Sequence, residues 1–270
     1  MNTPLVVIVG RPNVGKSTLF NRLTKTKDAI VDDESGVTRD RHYGYSDWNG
    51  QNFQLIDTGG YVPNSPELFE TAIREQVQIA LEEADAILFV TDGRDGMTPI
   101  DEEIGRMLHS SNKPILVLVN KLDNAKMGME ATEFWNLGVG DVFDISASHG
   151  RNLGDVLDAL LDKIDFDKFS DDEDPRLKIS IVGRPNAGKS SLTNALLGVD
   201  RSIVTNIPGT TRDSINSVLK YYGEEILLID TAGLRKKSKV KENIEFYSNV
   251  RTLRSIANSD VVVVLSLIHI

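Results

Sequence analysis

The chain has 270 residues, 40% of them hydrophobic and 26% charged, which suits one large soluble domain or two of ordinary size. The absence of cysteine excludes disulfides and thiolate-bound metals, and a net charge of −10 argues against non-specific nucleic-acid binding over the whole surface, though not against a local basic patch. No apolar run nears the roughly 18 residues of a membrane span, and the opening MNTPLVVIVG has no basic segment leading into a long apolar one; a cytoplasmic monomer without membrane attachment is expected.

LVVIVG (residues 5–10) is an apolar run ending in glycine, as a buried parallel strand would. GRPNVGKS (10–17) follows and leads into KSTLFNRLT, whose Leu19, Phe20 and Leu23 share one helix face. NFQLIDTGG supplies a second strand from Phe53 to Ile56. PELFETAIREQVQIALEEAD is a long amphipathic helix with proline in its first turn. AILFVTD, PILVLVN and VFDIS are short apolar runs separated by segments of helical character. NLGDVLDALLDKI closes this half as a helix with Leu153, Val156, Leu157, Leu160, Leu161 and Ile164 on one face. Strands alternating with helices predict an α/β fold, with a mostly parallel sheet flanked by helices.

DKIDFDKFSDDEDP (162–175) is dense in like charge and ends in proline, as a tether would, and the pattern then restarts with LKISIVG. GRPNAGKS (183–190) repeats residues 10–17 at seven of eight positions, 173 residues on (183 − 10 = 173). At the same offset Thr211 of GTTRD answers Thr38 of GVTRD, and Asp230 of DTAG answers Asp57 of DTGG. The chain therefore reads as a duplication: a first domain at 1–165, an acidic linker at 166–175 and a second domain at 176–270.

GxxxxGK[ST] between a strand and a helix is the phosphate-loop pattern. Its glycines let backbone N–H groups converge on phosphate oxygens, and the helix N-terminus adds a favourable dipole. Candidate nucleotide ligands are Gly10, Arg11, Pro12, Asn13, Val14, Gly15, Lys16, Ser17 and Thr18 in the first copy. In the second they are Gly183, Arg184, Pro185, Asn186, Ala187, Gly188, Lys189, Ser190 and Ser191. Lys16 and Lys189 would reach the β and γ phosphates, while Ser17 and Ser190 would ligate Mg²⁺.

The loop alone does not choose between ATP and GTP. NKLD (120–123) does, because it follows PILVLV and so lies at a strand's C-terminal end, where ligands sit in open α/β sheets. Asp123 can accept from guanine N1–H and its 2-amino group, a donor pair that adenine lacks, so ATP would leave a buried carboxylate unpaired. Lys121 can cover the base with its stem, Asn120 can hold base and loop together, and Ser146 and Ala147 of SAS can offer a backbone N–H to the guanine oxygen. The first half thus reads as a GTP/GDP site.

GRPNVGKS, GVTRD, DTGGY, NKLD and SAS, followed by GRPNAGKS, PGTTRD and DTAGLRKKSKVKENIEFYS, resemble the motifs of the bacterial Der (EngA) family of tandem-domain GTPases up to about Leu265. The resemblance implies GTP hydrolysis in assembly of the large ribosomal subunit, with its precursor and ribosomal RNA as partners. It also implies that Thr38 and Thr211 complete an Mg²⁺ shell when GTP is bound, that Asp57 and Asp230 hold the ion through water, and that Gly60 and Gly233 offer an N–H to the γ-phosphate. Thr58, Gly59 and Tyr61, with Thr231, Ala232 and Leu234, would line the same segments. Tyr61 and Leu234 stand where many GTPases have a water-orienting glutamine, so hydrolysis should be slow unless charge comes from elsewhere. By the same resemblance Asn13 and Asn186 would help ligate a K⁺ ion beside the phosphates; the alternative is that asparagine only stabilises the turn after proline.

A second guanine reader would begin near residue 293, beyond residue 270, so the second domain is expected to be truncated, without the family's C-terminal KH-like domain, and marginal or aggregation-prone. Aligning DAILFVTD with DVVVVLSL puts Leu267 where Asp92 stands. LRKKSKVK (234–241) packs five basic residues into an acidic protein: either a nucleotide-gated contact with RNA or an acidic surface, or a solvated mobile loop. The four histidines form no ligand spacing, Trp48 and Trp135 read as core or strand-edge aromatics, and DGRDG (92–96) reads as a turn. A nucleotide-gated scaffold with negligible turnover is the main rival to the enzyme, and a P-loop ATPase a distant third.

Overall fold

The computed structural model describes residues 3–24, 43–58, 66–169, 175–184, 187–197, 217–221, 223–229, 252, 255–256 and 258–266. The chain separates into two compact units, Thr3–Asp167 and Lys168–Ile270. Residues 166–169, read from the sequence as the start of the linker, form a short 3-10 turn.

In the first unit, β1 (Leu5–Val9), β3 (Gln51–Asp57), β4 (Ala86–Asp92), β5 (Ile115–Asn120) and β6 (Asp141–Asp144) run parallel, and β2 (Tyr43–Trp48) pairs antiparallel with β3. The order across the sheet is β2-β3-β1-β4-β5-β6. Every residue of β1, β4 and β5 is buried, as expected of parallel strands covered on both faces, which explains why they read as unbroken apolar runs. The helices are α1 (Lys16–Leu23), α2 (Pro66–Glu83), α3 (Pro99–Leu108) and α4 (Leu153–Lys163). Leu19, Phe20 and Leu23 of α1 are buried, as are Leu153, Val156, Leu157 and Leu160 of α4. Leu161 of the expected α4 face is only part-buried. A capping box of Thr98 and Asp101 starts α3, and a 3-10 segment fills residues 125–137 where helical character was expected.

Two expectations need amendment. The edge strand β2 has no continuous apolar run and was not anticipated, and Trp135 lies exposed on the 3-10 segment rather than in a core or strand edge. Trp48 does end the edge strand, its Nε1 donating to Asp158 Oδ1 at 2.7 Å.

The second unit has β7 (Leu177–Val182), α5 (Lys189–Leu197), β8 (Ser217–Tyr221), β9 (Glu224–Leu228) and β10 (Val261–Val264), in the sheet order β10-β7-β9-β8. The duplication is visible in the register. Val6 pairs with Ala86 in the first sheet, and Ile179 with Val261 in the second. Leu5 N donates to Asp85 Oδ2 and Lys178 N to Asp260 Oδ2, both at 2.8 Å. The offset is 173 at β1/β7 (179 − 6 = 173) and 175 at β4/β10 (261 − 86 = 175), so copy two carries two extra residues between them. Whereas β4 lies between β1 and β5, β10 has only β7 as neighbour among the described residues, and its four valines are exposed.

Candidate nucleotide-binding site

Residues 10–17 connect the C-terminal end of β1 to the start of α1. The turn needs unusual backbone: Gly15 has φ 99° and Asn13 φ 65°, the left-handed region that glycine and asparagine adopt most readily. Asn13 is therefore suited to the turn irrespective of any cation. A Cβ on Gly10 would lie 2.2 Å from the Val90 carbonyl oxygen, because β1 and β4 approach closely there. The same arrangement recurs in copy two, where a Cβ on Gly183 would lie 2.1 Å from the Leu265 oxygen.

Lys16 folds back over its loop, its Nζ donating to the carbonyls of Gly10 at 2.6 Å and Arg11 at 2.8 Å. Lys189 does the same with Gly183 and Arg184, at 2.6 and 2.8 Å. Burial lowers the Lys16 pKa to about 8 despite the neighbouring Asp57, and burial lowers that of Lys189 too. Ser17 Oγ donates to Asp57 Oδ2 at 2.6 Å, bringing together a hydroxyl and a carboxylate at the N-terminus of α1. Two hard oxygen donors suit Mg²⁺, which takes one or two protein oxygens and fills its shell with phosphates and water. No group of three or more His, Cys, Asp or Glu with metal-holding geometry exists among the described residues. Thr58 Oγ1 donates to the Ile8 carbonyl at 2.7 Å, fixing the exit of β3.

Asn120 ends β5 and is buried. Its Nδ2 donates to the Val14 carbonyl at 2.7 Å, and its Oδ1 accepts from Ala147 N at 2.8 Å. One side chain thus ties the phosphate loop to the NKLD and SAS segments. Asp123 accepts from Ser146 Oγ at 2.8 Å on Oδ1, and from Arg94 Nη2 on Oδ2. The Ser146 hydrogen bond, then those from Arg94 and His149, hold its carboxyl below the usual carboxylate range. Lys121, at φ 69°, places its Nζ 2.5 Å from the buried Asp92. Arg151 Nη1 donates to the Leu122 carbonyl at 2.9 Å and so braces the loop.

The sequence names Arg11 only as a nucleotide ligand, and it gives no sign of the roles of Arg22, Arg94 and His149. Arg11 meets Asp95 at 2.7 Å and Asp101 at 3.4 Å, joining the phosphate loop to the start of α3. Arg22 Nε donates to the Ala147 carbonyl at 3.1 Å, tying α1 to the SAS segment. His149, which belongs to no ligand spacing in the sequence, has Nδ1 3.2 Å from Asp123 Oδ1. None of these contacts is written in a local motif, because the partners are distant in sequence. The DGRDG stretch forms the expected turn, yet it delivers Arg94 to Asp123.

Gly10, Arg11, Pro12, Asn13, Val14, Gly15, Lys16, Ser17, Thr18, Asp57, Thr58, Asn120, Lys121, Asp123, Ser146 and Ala147 are all described and gather at the C-terminal end of the first sheet. In copy two the described members are Gly183, Arg184, Ala187, Gly188, Lys189, Ser190 and Ser191. Thr38, Gly59, Gly60, Tyr61, Pro185, Asn186, Thr211, Asp230, Thr231, Ala232, Gly233 and Leu234 lie outside the described residues, as does the basic stretch 234–241. No helix among the described residues is long and apolar enough to cross a membrane.

The family described as 50S ribosome-binding GTPase matches this chain twice, over residues 5–121 and 178–268. The chain is 55% identical over 262 residues to GTPase Der of Christiangramia forsetii, covering 97% of this chain and 60% of the relative. It is 52% identical over 263 residues to GTPase Der of Bacteroides thetaiotaomicron, with the same coverage of 97% and 60%. It thus spans about three fifths of the length of these curated relatives. Among solved structures, Era of Aquifex aeolicus bound to GDP.AlF4- aligns at 24% identity and a TM-score of 0.49, covering 98% of this chain and 93% of that one. The family match falls on both phosphate loops and, in the first copy, runs through Asn120 and Lys121: the chain belongs to the 50S ribosome-binding GTPase family.

Proposed function

We propose that the first unit binds GTP and hydrolyses it to GDP and phosphate, as one of two GTPase domains in a nucleotide-gated factor for large ribosomal subunit assembly. The observation that carries this reading is the pair of hydrogen bonds by which Asn120, three residues before the carboxylate of Asp123 that would read guanine, ties the phosphate loop at Val14 to the SAS segment at Ala147. Lys16 would leave the Gly10 and Arg11 carbonyls to meet the β and γ phosphates. Ser17 and Asp57 would hold Mg²⁺, which neutralises phosphate charge when bound. Thr38 and Gly60 would close on the γ-phosphate, and Thr211 and Gly233 would do so in copy two. With Tyr61 and Leu234 in the usual glutamine positions, K⁺ held near Asn13 and Asn186 would supply the compensating charge. The ribosomal precursor and its RNA are proposed as partners on the strength of the family to which the chain belongs.

The test is GTP turnover by this chain in KCl and in NaCl, with Lys16→Ala as control. Turnover stimulated by K⁺ and lost in the variant is expected. Tight GTP binding with negligible turnover in both salts would favour the scaffold, the reading that the two non-glutamine residues support. Co-sedimentation with large-subunit particles in GTP but not GDP would test the partner.

A further inference from the structure

We propose that Arg94 is an internal competitor of the guanine base for Asp123, and thereby sets how tightly the first unit holds its nucleotide. The inference rests on the guanine-reading role given to Asp123 above.

Arg94 sits in the turn after β4, and its position is fixed at the backbone, where its amide donates to Asp92 Oδ1 at 3.0 Å. From there the side chain crosses to the NKLD loop. Its Nε donates to the Lys121 carbonyl at 3.3 Å, and its Nη2 donates to Asp123 Oδ2. Guanine presents to this carboxylate the N1–H and the 2-amino group, two parallel donors. The Arg94 guanidinium offers this carboxylate one such donor, Nη2 on Oδ2, with a full positive charge added.

The two oxygens of Asp123 are not equivalent. Oδ1 accepts from Ser146 Oγ at 2.8 Å and has His149 Nδ1 at 3.2 Å. Oδ2 is the oxygen left to Arg94. A base that needs both oxygens must therefore share or take the one the arginine holds. Arg94 is also about half exposed, at 56%, so its head can swing into water at little cost while the anchored backbone keeps it close at hand. Such a competitor is weak and always present: it lowers affinity by a modest factor without blocking the site. Exposed ion pairs of this kind correspond to roughly a two- to five-fold change in an equilibrium constant.

The experiment uses the full chain carrying Lys189→Ala to silence the second phosphate loop, with fluorescent GDP as probe. Arg94→Ala should tighten GDP binding about two- to five-fold, and Arg94→Lys, which keeps the charge but cannot bond Asp123 and the Lys121 carbonyl together, should fall between. In an Asp123→Asn background probed with xanthosine diphosphate, Arg94→Ala should have no effect, because the carboxylate that the arginine holds is gone. Unchanged or weakened GDP binding in Arg94→Ala, or equal tightening in the Asp123→Asn background, overturns the proposal. If Asp123→Asn leaves GDP affinity unchanged, the guanine-reading role itself fails and takes the proposal with it.

Discussion

Asn120 Nδ2 reaches across 106 residues of sequence to donate to the Val14 carbonyl at 2.7 Å, while Oδ1 of the same amide receives Ala147 N at 2.8 Å. All three groups are buried, so neither bond can be replaced by water without rearrangement. Asn120→Ala leaves a carbonyl and an amide unpaired and should cost about 2 kcal/mol of stability. Asn120→Asp should be no better, because it sets a carboxylate oxygen against the Val14 oxygen. Urea unfolding of the three proteins checks this; an Asp variant as stable as wild type would show that the amide orientation is wrong.

The two phosphate loops share a sequence but not their neighbours. A Cβ on Gly15 would lie 2.3 Å from Asn120 Nδ2, whereas among the described residues one on Gly188 meets nothing nearer than Leu265 Cδ2 at 3.8 Å. Both have φ near 90°, so alanine at either position carries backbone strain of order 1–3 kcal/mol. Gly15→Ala adds displacement of Asn120 and should destabilise its unit more than Gly188→Ala destabilises the other. Amide hydrogen exchange, read separately over peptides of each unit, gives the comparison. Equal loss of protection in the two units would count against the Asn120 contact.

What was legible in the sequence was whatever is written locally. The buried strands β1, β4 and β5 are continuous apolar runs, and the phosphate loop is a contiguous motif whose glycines answer to φ and to close strand approach. The edge strand β2 is half-buried and reads YGYSDW, with no run to find. Its signal is the turn instead: Asn49 at φ 51° and Gly50 at φ 78° make the Asn-Gly hairpin to β3, a local pattern independent of any apolar run. The charged partners of the site were illegible for another reason. Arg11 finds Asp95 and Asp101, and Arg94 finds Asp123, only because parallel strands bring loops from distant parts of the chain to one end of the sheet.

Lys16 should make nucleotide binding consume protons. Burial lowers its pKa from 10.5 to about 8, and phosphates beside it would raise the value again. At pH about 8.5 the free site is largely neutral and the occupied site charged, so GDP binding should take up a fraction of a proton. Calorimetry in two buffers of different ionisation enthalpy reads this directly. The stability consequence has a definite sign. The folded pKa lies below the unfolded one, so the unfolded chain holds the extra proton and stability rises with pH between about 8 and 10.5. Lys16→Met has no proton to lose and also loses the bonds to the Gly10 and Arg11 carbonyls, so its stability relative to wild type should fall as pH rises from about 8 towards 10, and urea unfolding across that range measures the change.

Arg11 is the cation on which a buried carboxylate depends. Asp101 is 0% exposed, and burial pushes its pKa up even though Thr98 and Arg11 oppose the shift. Its Oδ2 accepts from Thr98 N and Thr98 Oγ1, and Oδ1 has no hydrogen-bond partner among the described residues. Arg11→Ala leaves that charge buried without its counter-ion, a change that typically costs about 3–5 kcal/mol. The cost should depend on pH. Without Arg11 the folded Asp101 pKa rises further, so the folded chain takes up a proton more readily than the unfolded one as pH falls. The exposed Asp95, whose carboxyl the Arg11 hydrogen bond holds low, loses stabilisation that exists only while it is ionised, which acts in the same direction. The deficit of Arg11→Ala against wild type should therefore be greatest at pH 7 and shrink towards pH 4. Urea denaturation at the two pH values measures it, and Arg11→Ala combined with Asp101→Asn, which removes the stranded charge, should recover part of the loss at pH 7. A deficit that does not change between pH 7 and 4 would mean that Arg11 stabilises the loop by packing alone.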